Sequence, residues 1–245
     1  WTTLPGRVWT EADELDFADF IRTHAEPLFF KKQGPAFQNF KIDCADAVYS
    51  WRAFFAKERG LPFVVAKGAF TNSMSRFDSI ADPEERFVVF LKNVASYADT
   101  HELAHYDTYP IGIDDIRSGD VFLYKFESAP GTYTRHAYMI KNVNADGTFD
   151  ILYSTQARRD AGLPLNRIER YTFPNPKWVP NHPNSDRYRW GFKRFKTAAD
   201  ASRDQARIVG ANFEQYQLAE TLGARFFSYI KNRRAVVQET VSATI

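Results

Sequence analysis

Lys41-Ile42-Asp43-Cys44-Ala45-Asp46-Ala47-Val48-Tyr49-Ser50-Trp51 holds the only cysteine of the chain, at a point where a connection turns into a helix. Past Asp43 the apolar residues Ala45, Val48, Trp51 and Phe55 recur at three and four positions, the spacing of a helix with one buried face. Gly60, after Lys57-Glu58-Arg59, is a helix stop. Cys44 then falls in the first turn, where unpaired N–H groups and the helix dipole stabilise negative charge. A thiol in that position is expected to have a lowered pKa and to be a better nucleophile. The alternative is a small buried hydrophobe, the commoner role of a single cysteine.

On the N-terminal side, Thr10 is an N-cap followed by acidic Glu11 and Asp13, and Leu15, Phe17, Phe20 and Ile21 give an apolar stripe to about His24. Pro27 ends that helix. On the other side, Phe63 to Ala66 reads as a short strand. Asp82-Pro83-Glu84-Glu85 reads as cap, proline and acidic first turn of a helix running to about Ala98. Residues 99–119 look irregular. From Asp120 the pattern changes to strands: Val121–Phe126, a Pro130-Gly131 turn, His136–Val143, an Asn144-Ala145-Asp146-Gly147 hairpin turn, and Thr148–Thr155. Asn166–Phe173 and Arg187–Phe195 are further strand candidates, and 201–234 reads as mainly helical. Helices first and an antiparallel meander after them make an α+β layout.

A 245-residue chain with 44% hydrophobic residues, including 22 Phe, has ample material for a core. The expected division is a main domain over 1–200, with an N-terminal helical segment, and a C-terminal helical extension over 201–245 packed on it. A net charge of +2 with interleaved signs is not the concentrated basic field of a nucleic-acid binder. One cysteine excludes an intrachain disulfide and any cysteine-rich zinc site. No apolar run reaches the roughly 18 residues of a membrane span. The chain begins at Trp1 rather than Met, so a processed product is expected, with a removed signal peptide and a periplasmic or secreted location.

A thiol nucleophile needs a base, and the base needs a group that holds its tautomer. His136 opens a strand that runs into the tight hairpin, and the residues lying back across from it are near Ser154, Thr155 and Gln156. Gln156 or Ser154 is thus a candidate partner for the imidazole. Asp150 is better charged for the task and lies nearer the turn.

Asp43-Cys44-Ala45-Asp46 opening a helix, Ser118-Gly119-Asp120-Val121-Phe122 opening a strand and His136-Ala137 opening the next resemble, in that order, the papain-like NlpC/P60 and CHAP hydrolases. The similarity covers roughly residues 40–156. The Asp107–Pro110 and Leu152-Tyr153-Ser154 stretches are also similar to an uncharacterised bacterial family of that type. The resemblance implies a papain-like helix-plus-antiparallel-sheet core, here with added N- and C-terminal helices. It implies hydrolysis of an amide or peptide bond, commonly in cell-wall peptidoglycan, with Cys44 as nucleophile, His136 as base and no cofactor. The positions where those families carry the third member hold Tyr153 and Thr155, which leaves Gln156, Ser154 and Asp150 as the orienting candidates. The partner implied is a peptide or peptidoglycan-type substrate, and a monomer is expected. A non-catalytic binding module on the same scaffold is an alternative.

A rival motif stands at His101-Glu102-Leu103-Ala104-His105, which matches H-E-x-x-H. On a stable helix that pattern puts two zinc-binding imidazoles, His101 and His105, on one face beside a glutamate. The alternative expectation is therefore a zinc metallopeptidase, although charged Asp99 and Asp107 flank the motif and Pro110 follows closely. Finally, Arg187–Phe195 alternates basic with aromatic residues. It reads either as a half-buried strand with its polar face in water or as a wall for an anionic or sugar-containing polymer.

Overall fold

The computed structural model describes residues 1–154, apart from 39, 41, 66–67, 112–114 and 146–148, together with 168–173 and 191–197. The expected helical extension over 201–245 and Gln156 lie outside the described residues, as does most of the loop before the last strand.

Thr10 caps helix α1 (Glu11–His24) through a reciprocal box with Asp13: the Asp13 N–H donates to the Thr10 hydroxyl, and the Thr10 N–H donates to the Asp13 carboxylate. At the far end, the Lys141 ammonium donates to the carbonyls of Arg22 and Ala25 at 3.0 and 2.6 Å, satisfying groups that a helix end leaves open. Helix α2 (Cys44–Arg59) is capped by Asp43 and ends at Gly60, whose φ of +61° is the left-handed conformation a helix stop of this kind requires. Asp82 and Pro83 start helix α3 (Pro83–Tyr97).

These bounds follow the sequence closely, but the burial of α2 does not. Tyr49, Ser50, Arg52 and Phe54 are buried as well as Val48, Trp51 and Phe55, so α2 is a central helix enclosed all round and not an amphipathic one. It packs against α1 and α3 and against the sheet described next.

A two-stranded ribbon, β1 (Val64–Val65) with β2 (Phe70–Thr71), lies apart from the main sheet. The main sheet contains β3 (Thr108–Pro110), β4 (Val121–Ala129), β5 (Thr132–Val143), β6 (Phe149–Ser154), β7 (Ile168–Phe173) and β8 (Gly191–Phe195) in the order β3-β8-β4-β5-β6-β7. Every pairing is antiparallel. The meander β4 to β7 is the one its turn signals indicate. The last strand does not continue it: β8 returns to the other edge of β4 and carries the short β3 beyond it. The chain is thus α+β.

Segment 99–119 is less irregular than its sequence suggests. One α-helical turn, α4 (Thr100–Glu102), runs into a π turn (Leu103–Asp107) and then into β3. The strand is found only in space, since its partner β8 lies far along the chain.

Alternation along the strands gives the sheet two buried faces. Val121, Leu123, Ala137, Met139 and Leu152 join the helices in the larger core, while Phe122, Tyr138, Ile140, Ile151, Tyr153 and Phe192 form a second cluster with Ile111 and Ile116. Gly119 lies at the entry to β4 with φ +86°, and a Cβ there would come within 3.1 Å of the Phe17 ring, so the Gly-Asp pair is fixed by backbone geometry and packing. Asp120 then accepts from the Arg117 N–H and from the Arg194 guanidinium at 2.7 and 2.9 Å. The basic residues of β8 are consumed internally in the same way, Lys193 donating to the Ala104 carbonyl at 2.6 Å. In its described part this strand is buried, which removes the polymer-wall reading there. No helix among the described residues is long and apolar enough to cross a membrane.

Inside the helical layer, Arg52 is buried against Glu14 and its guanidinium lies 3.3 Å from the centroid of the Trp9 ring. Removing one partner leaves a buried charge uncompensated, which costs about 3–5 kcal/mol, whereas replacing both by apolar residues of similar volume is nearly neutral. Glu14→Ala is expected to lose stability in that range by urea unfolding, and Glu14→Met with Arg52→Met to recover most of it.

Candidate active site

The start of α2 is built by two aspartates. The Asp43 carboxylate accepts from the Ala45 and Asp46 N–H groups at 3.0 and 3.2 Å, and the Asp46 carboxyl accepts from the Asp43 N–H at 2.9 Å. The loop before the helix is pinned to the sheet by Ser154, whose buried hydroxyl donates to the Ile42 carbonyl at 2.9 Å. Among the described residues nothing accepts from the Cys44 N–H, the first of the helix, while the next two are taken by Asp43. That leaves a backbone donor beside the sulfur, as an oxyanion site needs.

Cys44 and His136 are both related to a single backbone group, the N–H of Ala137. Ile140 exchanges hydrogen bonds with Gly119 and Asp120, so even-numbered residues of β5 direct their N–H and C=O groups toward β4, and odd-numbered ones toward β6. Met139 with Leu152 is the first described pair between β5 and β6 at this end. The N–H of Ala137 thus points into the opening before the two strands join. It donates to His136 Nδ1 at 3.0 Å and is near enough to the Cys44 sulfur to favour its ionised form. Cys44 belongs to the helix-covered core with Ala137, whereas buried His136 has the strand parity of Tyr138 on the other face. Nδ1 accepts this bond through its lone pair. The Tyr153 ring stands edge-on to the imidazole, centroids 6.0 Å apart and planes at 87°.

The expected orienting residues are used elsewhere. Asp150 pairs across the sheet with Asn142 and accepts from the Asn142 side chain at 3.2 Å and the Asn144 side chain at 3.5 Å. That position is six residues along β5 from His136, about 20 Å at strand rise, so Asp150 does not orient the imidazole. Ser154 does not do so either: its hydroxyl faces α2 and serves the Ile42 carbonyl. Both residues are buried polar groups with structural duties.

The electrostatics correct a second expectation. Burial pushes the Cys44 thiol up to about 12, and the carboxylates of Asp43 and Asp46 add to the rise. Bonds from the Thr100 hydroxyl and the Ala137 N–H oppose it without offsetting it. The helix start therefore does not make this thiol a thiolate at neutral pH, because desolvation and two adjacent acids outweigh the helix dipole. Thr100 itself was not legible as a site residue, although Asp99 and Glu102 around it carry the spacing of a capping box. Its hydroxyl lies 3.7 Å from the Cys44 sulfur.

His101 and His105 do lie together, ring centroids 4.3 Å apart, but on the junction of the α and π turns and not on a continuous α-helix. The Glu102 carboxylate accepts from the Asp99 N–H at 3.2 Å. No group of three His, Cys, Asp or Glu residues able to hold a metal ion occurs among the described residues. The geometry offers the zinc reading two ligands only.

Asp46 is shifted upward, to about 8, by burial first and then by the Asp43 carboxylate. A carboxyl that binds its proton more tightly folded than unfolded loses its stabilising contribution as pH rises from the unfolded value, near 4, through the folded one. Asp46→Asn keeps the acceptor for the Asp43 N–H and cannot ionise. This variant is expected to exceed the parent's stability at pH 9 by about 1 kcal/mol or more, with the difference vanishing toward pH 4, in denaturant titrations across that range.

The chain matches no protein-family model, and comparisons with curated proteins and with solved structures find no significant match.

Proposed function

We propose that this protein is a papain-like cysteine hydrolase that cleaves an amide or peptide bond, with cell-wall peptidoglycan as the substrate class the motif resemblance points to. The observation that carries the reading is the Ala137 N–H, which donates to His136 Nδ1 at 3.0 Å and also favours ionisation of the buried Cys44 thiol. In the reaction, His136 Nδ1 gives up its bond from the Ala137 N–H and takes the thiol proton as the sulfur attacks the carbonyl carbon. The Cys44 N–H donates to the oxyanion that forms. The intermediate collapses to a thioester, and the amine leaves with the proton from His136. Water, deprotonated by the same nitrogen, then releases the acid and restores the thiol.

With the thiol held at about 12 by burial, proton removal accompanies attack, and no standing thiolate–imidazolium pair precedes it. The Tyr153 ring confines the imidazole sterically. Cys44→Ala and His136→Ala are each expected to lower hydrolysis of peptidoglycan or peptide substrates by about 10³-fold or more while leaving the melting transition nearly unchanged. Undiminished turnover in Cys44→Ala rejects the mechanism.

The same burial favours a second reading, a binding module on this scaffold with an inert thiol. That reading expects no turnover with any peptide or peptidoglycan substrate, and a His136→Ala variant whose thiol alkylates as the parent's does.

A further inference from the structure

We infer that Thr100 is a positioning residue for the Cys44 sulfur, a hydroxyl rotor that accepts from the thiol at rest and donates to the sulfur as its proton leaves. The inference deepens the hydrolase reading and rests on it for its role in turnover, but it makes a claim about the thiol that stands apart from turnover.

The geometry is specific. Thr100 Oγ1 is 3.7 Å from Cys44 Sγ, the two side chains are both buried, and no other hydrogen bond of that hydroxyl is formed among the described residues. A threonine hydroxyl has one proton and two acceptor sites, so a single residue can face S–H and S⁻ in turn by rotating its O–H. A hydrogen bond to the ionised sulfur is the stronger of the two. The Ala137 N–H approaches the same sulfur from the strand, so two donors oppose the burial and the two acids that hold the proton on.

The backbone of Thr100 is held for this task. Asp99 caps α4, its carboxylate accepting from the His101 N–H while the Asp99 N–H donates to Glu102. The Arg135 guanidinium lies 3.6 Å from the Asp99 carboxylate and ties the turn to β5 one residue before His136. The H-E-x-x-H stretch thereby finds a use without a metal: its glutamate closes the box that sets Thr100 over the thiol.

Cys44 is the only cysteine, so the pH profile of iodoacetamide alkylation, followed by mass, reads this thiol alone. Thr100→Val removes the hydroxyl at nearly constant volume, and Thr100→Ser keeps it. The expected result is alkylation about 3–10-fold slower in Thr100→Val across pH 8–10 with its profile displaced to higher pH, and a Thr100→Ser rate within about 2-fold of the parent. A Thr100→Val profile equal to the parent's overturns the inference. So does Thr100→Ser failing as Thr100→Val does, which would assign the role to the methyl group, and so does faster alkylation in Thr100→Val, which would make the hydroxyl a shield. Because alkylation needs no substrate, an inactive protein in which Thr100→Val still slows the reagent rejects the hydrolase reading and keeps this one.

Discussion

The fold of this protein depends on how the first turn of α2 is seated against the opening between β5 and β6. A helix start exposes N–H groups that need acceptors, and Asp43 supplies one from its own carboxylate. The strand opening exposes the Ala137 N–H, which has no strand partner in the described pairs at that point. Setting the two against each other brings the strand's donor, satisfied by the imidazole, near the Cys44 sulfur. Ser154 fixes the distance by tying the incoming loop to β6. The rest of the helical layer holds α2 in place along its length, the Phe17, Phe20 and Phe29 rings packing on Phe54 and Phe55 of α2.

Much of this was readable in the residues, for local reasons. Helices α1, α2 and α3 carry caps and periodic apolar residues within a single short window, and their ends fall where those signals put them. The β5–β6 hairpin is readable because its turn residues lie between the strands. Elements that depend on distant partners were not. Three-residue β3 exists through its pairing with β8, and β8 sits beside β4 through the Asp120–Arg194 bridge, neither of which leaves a periodic pattern. The full enclosure of α2 is likewise a property of what surrounds it.

The site divides in the same way. Cys44 stands out because it opens a helix, and His136 because the strand pattern strengthens there, although β5 in fact begins four residues earlier at Thr132 and His136 lies within it. Asp150 and Ser154 are polar residues in the right strand, and only the three-dimensional bonding shows that one serves the hairpin turn and the other the Ile42 carbonyl. Thr100 stands immediately before a pattern that invites a metal reading. The sign of the thiol's shift was also out of reach, since a helix start argues one way and the depth of burial, set by α4 and β5, argues the other.

That opposition has a structural origin. The carboxylates that start α2 are the same charges that disfavour a thiolate one residue away. Removing them would ease ionisation but leave the Ala45 and Asp46 N–H groups without acceptors, at a cost to the helix start of about 0.5–2 kcal/mol. The compromise is an upward-shifted Asp46, which removes part of one negative charge near neutral pH while keeping the bond from the Asp43 N–H. The sulfur is then left to donors supplied by other elements, the strand N–H of Ala137 and the hydroxyl of Thr100. In the proposed hydrolase a thiol of this kind stays inert until its proton has somewhere to go, and Nδ1 of His136, once it lets go of the Ala137 N–H, is the acceptor proposed for it.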